Sequence, residues 1–169
     1  MNIVDKVKRL KSKHKSSDPF DICNQLNIEV VFTDIGSLKG MYTCIKRNRF
    51  IVIHQNLNIH TKRVVCAHEL AHDQLHRKIS LSAWLKDSDF NINSSKFEYE
   101  ANVFAAELLL DEETLIGLIL DGKSISEISS LMYTDSNLIA IKLISLMKNG
   151  YKFALQDYDS CFLKSTNVF

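Results

Sequence analysis

Residues 68 to 72 read His68-Glu69-Leu70-Ala71-His72, two histidines four apart with a glutamate directly after the first. On a helix, positions i and i+4 sit one turn above each other, about 40° apart around the axis. Two imidazoles so placed can close on a single ion from one side. Glu69 points about 100° away from His68, beside such an ion without ligating it, where a carboxylate can take a proton from water. That division of labour is the one HExxH performs in zinc peptidases. The pattern fixes only three positions, so its context has to carry it. Val64, Ala67, Ala71 and Leu75 fall on one stripe, with His68 and His72 along its edge, which predicts a helix with partly buried imidazoles. Ala67 and Ala71 are small enough to admit a neighbouring helix, and Thr61 is the expected N-cap.

A zinc hydrolase needs a third protein ligand and an open fourth position. His76 continues the i+4 series but lies about 12 Å along the axis from His68, too far to share its ion. The longer pattern with a glycine and a distant third histidine is absent, because Leu75 and Lys78 occupy its places. A carboxylate from a later segment is therefore expected. Wound as a helix, Phe97 to Leu109 gathers Phe97, Ala101, Phe104, Ala105, Leu108 and Leu109 into an apolar arc, with Glu98 projecting from within it. A carboxylate on a core-facing stripe is costly unless something positive faces it. Glu98 is the expected ligand, with Glu100 as its rival. Asn102, one turn beyond Glu98, is placed to orient a histidine through the ring nitrogen turned away from the metal.

These motifs together resemble the ImmA/IrrE family of metallopeptidases. The resemblance rests on HELAH with a further histidine at His76, on Glu98-x-x-Ala101-Asn102-x-Phe104-Ala105, and on the leucine run that follows. Asp18-Pro19-Phe20, Leu26-Asn27-Ile28-Glu29-Val30 and Lys39-Gly40-Met41-Tyr42 match the family upstream, and Ile125 to Met147 resembles its C-terminal helical segment. Similarity thus covers roughly residues 18 to 148. It implies zinc held by His68, His72 and Glu98, with Glu69 as catalytic base. It further implies a narrow endopeptidase that cuts a helix-turn-helix repressor of a mobile element or stress response. Ala71 stands where the family often has glycine and Asp111 where it usually has proline, differences that bear on helix boundaries rather than chemistry.

A chain of 169 residues with 46% apolar content can bury one sizeable core. Its formal net charge of +1 gives no overall field for nucleic acid or membrane. Cys23, Cys44, Cys66 and Cys161 show no CxxC spacing, which argues against a zinc ribbon and fits a reducing cytoplasm. No signal peptide and no membrane span are evident. The expectation is one α+β metallopeptidase domain over residues 1–155, followed by an extension over 156–169. Its architecture should be zincin-like: a small antiparallel sheet packed on the active-site helix, with a helical C-terminal part at about 111–150.

Ile3, Val4, Val7 and Leu10 mark an N-terminal amphipathic helix with a basic, solvated face. Asp18-Pro19 opens a short helix to about Leu26. Residues 28–32, 39–45 and 50–54 read as strands, with turns at Gly36-Ser37 and Arg47-Asn48. The polar stretch 86–95 reads as a mobile loop between the two ligand-bearing helices. Three helices follow, capped by Ser124 with Glu127 and by Asp135 or Ser136 where a cap is legible. The last two resemble a helix-turn-helix, but Lys142 and Lys148 are the only cations of the final helix, so direct DNA binding is disfavoured. Two other functions fit the same residues: a binder that sequesters a transcription regulator around a structural zinc, and a DNA-binding protein with an accidental HExxH. Tyr42 and His76 are candidates to stabilise an oxyanion, each with a structural role as the stronger reading.

Overall fold

The computed structural model describes residues 2–83 and 94–153. Its elements run α1 (Ile3–His14), α2 (Pro19–Gln25), β1 (Ile28–Thr33), β2 (Gly40–Ile45), β3 (Asn48–His54), α3 (Ile59–Ala83), α4 (Ser94–Leu109), α5 (Glu112–Leu120), α6 (Ile125–Leu131) and α7 (Ser136–Lys148). The chain divides into two compact units, residues 1–109 and 110–169. The expected extension 156–169 and residues 86–93 of the expected loop lie outside the described residues, whereas Ser94 and Ser95 open α4. Among the described residues, no helix is long and apolar enough to cross a membrane.

The class is α+β as expected, but the sheet is mixed rather than antiparallel. Its order is β1-β3-β2, with β1 parallel and β2 antiparallel to β3. The chain does reverse after β1, where Gly36 takes φ +66° and its N–H reaches Asp34 Oδ1 at 2.9 Å. What the turn residues do not specify is the neighbour. β3 carries Ile51 and Ile53, both wholly buried, and takes the centre, so β1 and β2 flank it instead of pairing. The β2–β3 hairpin pairs Ile45 with Asn48, which puts Lys46 and Arg47 in the turn with φ of 49° and 72°. That is one residue earlier than the asparagine suggests, and both loop residues accept the left-handed backbone a tight hairpin needs.

Helix α3 lies against β2 and β3 on one side and α4 on another, with α2 also packed on it and α1 on α4. Val65, Cys66, Ala67, Leu70 and Ala71 are buried, a broader surface than one stripe because α3 is covered from several directions. The N-cap is Asn58 rather than Thr61: Asn58 Oδ1 accepts from the Thr61 N–H at 2.8 Å, and the helix starts three residues earlier. Cys66 faces Cys23 of α2 with sulfurs 3.9 Å apart, deep in the core and away from the histidines. The lysines of α1 are not all solvated. Lys6 donates to the Gln74 carbonyl and Lys11 to the Glu107 carbonyl at 3.4 Å.

Strand β2 crosses α3 at Gly40, where an added Cβ would lie 2.3 Å from Val65 Cγ1 and 3.2 Å from Glu69 Oε1. Only a residue without a side chain lets the backbone come this near. Gly40→Ala should force strand and helix apart, costing about 1–3 kcal/mol as overpacking does. A urea titration of the variant checks this.

In the second unit, Asp111 caps α5 through Thr114 N at 2.9 Å, so the residue that departs from the family's proline starts a helix. Ser124 and Glu127 form the expected capping box on α6, and Asp135 caps α7 through Asn137 N. Lys142 is buried beside Glu112 at 3.4 Å, which removes one of the two cations of α7 from the surface.

Candidate metal centre

One turn of α3 presents His68 and His72 toward the first turns of α4. His68 Nε2 lies 3.1 Å from Glu98 Oε2 and 3.2 Å from His72 Nε2, and His72 Nε2 lies 3.5 Å from Glu98 Oε1. Among the described residues, these three form the one group of His, Cys, Asp or Glu side chains able to hold a metal ion. The rival Glu100 is elsewhere, its Oε2 2.9 Å from His76 Nε2.

The donor set can be tested against an ion by its spacing. A tetrahedral zinc ion with bonds of about 2.0–2.1 Å holds its donors about 3.3 Å apart. The observed separations bracket that value: 3.2 Å between the imidazole nitrogens, and 3.1 and 3.5 Å from them to the two oxygens of the Glu98 carboxylate. Proton placement points the same way. Asn102 Oδ1 lies 2.9 Å from His68 Nδ1 and accepts its proton, leaving the Nε2 lone pair to face His72 and the carboxylate. Three acceptors converge there, and a cation between them turns repulsion into attraction. The residues fit a divalent metal.

Titration reflects the same demand for positive charge. Burial works to lower His68, but the Glu98 hydrogen bond and the charges of Glu69 and Glu98 overcome it and hold this imidazole above the usual histidine value. Burial, with His68 close by, pushes His72 down to about 4. The His68 hydrogen bond holds Glu98 below the ordinary glutamate range.

Glu69 is buried beside this group under β2, at 8% exposure. Burial pushes its carboxyl up to about 7, against the charge of His68 and a hydrogen bond from the Tyr42 backbone. A carboxylate so poised exchanges protons near neutral pH, as a general base must.

One expectation needs correction. Glu98 is not on the buried stripe: its side chain is 57% exposed, whereas Ala101, Phe104, Ala105 and Leu108 are fully buried. It stands at the rim of α4, so the cost of burying a carboxylate is not what explains it; proximity to the imidazoles is. Glu107 is the buried carboxylate of this helix, at 6% exposure. The oxyanion candidates are also committed elsewhere. Tyr42 Oη donates to Asp73 Oδ1 at 2.8 Å, and His76 lies between His72 and Glu100.

Asp73 itself was missed by sequence reasoning. Its wholly buried carboxylate accepts from Tyr42 of β2, from Arg49 NH1 of β3 at 3.2 Å and from Arg77 NH2 of α3 at 2.8 Å. The i,i+4 spacing of Asp73 and Arg77 is a signal for that pair, while nothing local announces Arg49.

Asn102 has a definite job here, holding one ring in one tautomer. Asn102→Ala should weaken metal binding about 10–100-fold, as loss of a partner behind a ligating histidine does, with little change in folding. Competition with a chromophoric chelator reads that loss directly.

A peptidase family described as the IrrE N-terminal-like domain matches residues 23–141. An uncharacterized immunity region protein 2 of Bacillus phage phi105 is 33% identical over 144 residues, which cover 85% of this chain and 90% of the phage protein. Metallopeptidase ImmA of Bacillus subtilis (strain 168) is 29% identical over 113 residues, 67% of this chain and 66% of that protein.

Proposed function

Because the chain belongs to the family of the IrrE N-terminal-like domain and is a metallopeptidase, we propose that it is a zinc endopeptidase acting on one specific protein. In this reading His68, His72 and Glu98 hold the ion, Glu69 is the base, and the fold is zincin-like. The substrate is a helix-turn-helix transcriptional repressor, cut in the cytoplasm. The observation that carries the reading is the spacing of the three donors, 3.1 to 3.5 Å apart with a buried glutamate beside them.

An ion held by His68, His72 and Glu98 would supply Lewis acidity, able to polarise a carbonyl and to bring the pKa of water toward about 7. The chain's own residues do the rest. His68 and His72 offer Nε2 lone pairs, and Glu98 closes the set from the facing helix while its exposed side leaves room for substrate. Glu69 receives a proton on its carboxylate as water attacks the scissile carbonyl, then passes it to the departing amine. Burial serves this transfer by holding the carboxyl near neutrality. Strand β2, pressed onto Glu69 at Gly40, keeps the carboxylate aimed and screens it from bulk water.

The similarity to an immunity region protein of a phage and to metallopeptidase ImmA supports a regulatory protein as substrate. Incubation with a helix-turn-helix repressor from the same genome should give a discrete pair of fragments by mass spectrometry. A chelator should block the cut and zinc restore it. An intact regulator after exposure to zinc-loaded protein would remove this substrate assignment.

A further inference from the structure

His72 differs from His68 in what stands behind it. The Nδ1 of His68 meets an amide oxygen, whereas His72 Nδ1 lies 3.1 Å from the Nδ1 of a third imidazole, His76. Beyond it, His76 Nε2 lies 2.9 Å from Glu100 Oε2. Two imidazole nitrogens in contact need one donor and one acceptor, and the far end of the row decides which is which. An ionised carboxylate only accepts, so a neutral His76 carries its proton on Nε2 and turns a bare Nδ1 toward His72. His72 must then carry its proton on Nδ1. Its Nε2 is left as a lone pair, 3.2 Å from His68 Nε2 and 3.5 Å from Glu98.

We propose that Glu100 and His76 are positioning residues for the metal, a two-member relay that locks His72 into its metal-binding tautomer. The inference rests on the metal site proposed above. His76 cannot be a ligand itself, because the nitrogen nearest the cluster is spent on His72. Its ring is held: the side chain is 5% exposed and its centroid lies 4.8 Å from that of Phe97. A ring that cannot turn keeps the relay in one register. The carboxylate at its end also draws the shared protons away from the ion, making His72 Nε2 a better donor. The relay accounts for two features the catalytic reading leaves over: a third histidine in the i+4 series, and a second glutamate two residues after Glu98 that does not join the cluster.

Glu100→Gln is the decisive substitution. An amide can donate as well as accept, so it permits the reversed register in which His76 gives its proton to His72 and His72 shows Nε2–H to the metal. Zinc affinity, measured by chelator competition on the full chain, should fall about 10–100-fold. His76→Leu should do the same, while His76→Asn, whose Oδ1 can stand where Nδ1 stood, should recover most of the loss. Long-range 1H–15N NMR of the metal-free protein provides a readout that a packing role would not move. Neutral His72 should be protonated on Nδ1 in the parent chain and divided between both nitrogens in Glu100→Gln. The relay is overturned if His72 of the parent chain is protonated on Nε2, or if Glu100→Gln binds zinc within threefold of the parent. Should His76→Leu fail to fold, Glu100→Gln and the spectrum decide alone. Failure of the parent chain to bind zinc at all would be a different result, removing the metal site and the relay with it.

Discussion

Glu69→Gln is expected to leave the protein folded and loaded with zinc but unable to cut. The substitution keeps shape and keeps an oxygen for the Tyr42 backbone, while it removes a buried carboxylate beside the cluster that can take a proton and return it. A positioned general base contributes about 10²–10⁴ in rate, and here one carboxylate serves both attack and departure, so the loss should lie at the upper end. Metal affinity should stay within about threefold, because Glu69 is not among the three donors and the second sphere of both histidines is untouched. Two measurements give the answer: zinc stoichiometry by competition, and the rate of fragment formation from the regulator. The same pair discriminates peptidase action from sequestration. A binder that inactivates its regulator around a structural zinc would work as well with glutamine at 69. Full activity of Glu69→Gln would dismiss Glu69 as the base.

The legible part of this chain is what helix periodicity and capping control. His68, Glu69 and His72 are fixed relative to one another by 3.6 residues per turn, and their placement needs only that the segment be a helix. Asp18, Ser124 with Glu127, and Asp135 cap the helices they were expected to cap, because a side-chain oxygen two or three residues before an orphan N–H is a local fact. Across elements legibility falls. Gly36 marks a reversal but cannot say that β3 will come between β1 and β2. Glu98 was chosen on the wrong ground, as a buried carboxylate, though it stands beside the two histidines. The pairing of His76 with Glu100 was half visible as a repeated i+4 spacing, yet a spacing does not name a partner on another helix.

Asp73→Ala should be the most damaging change to the fold that leaves every proposed ligand in place. The Asp73 carboxylate is fully buried and is the common acceptor of a phenol from β2, a guanidinium from β3 and a guanidinium from α3. Burial, with the Asp73 hydrogen bond added, raises the Tyr42 hydroxyl above the usual tyrosine value, and the Asp73 hydrogen bond raises Arg77. Tyr42 thus donates as a neutral hydroxyl. Removing the carboxylate leaves two cations facing each other with Arg49 largely enclosed at 18% exposure, and breaking such a pair on one side costs about 3–5 kcal/mol. For a chain of this size that corresponds to a fall in melting temperature on the order of 10 °C. Asp73→Asn should lose less, since an amide still accepts from Tyr42 but brings no charge for the arginines. The damage should also reach the chemistry without touching a ligand. Asp73 follows His72 directly, and its contacts to Tyr42 and Arg49 pin α3 to the strands that hold Glu69 beneath Gly40. At a temperature where Asp73→Asn remains folded, its rate of cleavage should therefore drop while its zinc affinity holds. Equal melting temperatures for the parent chain and Asp73→Ala would show that packing, not this buried ion cluster, joins the sheet to the helix.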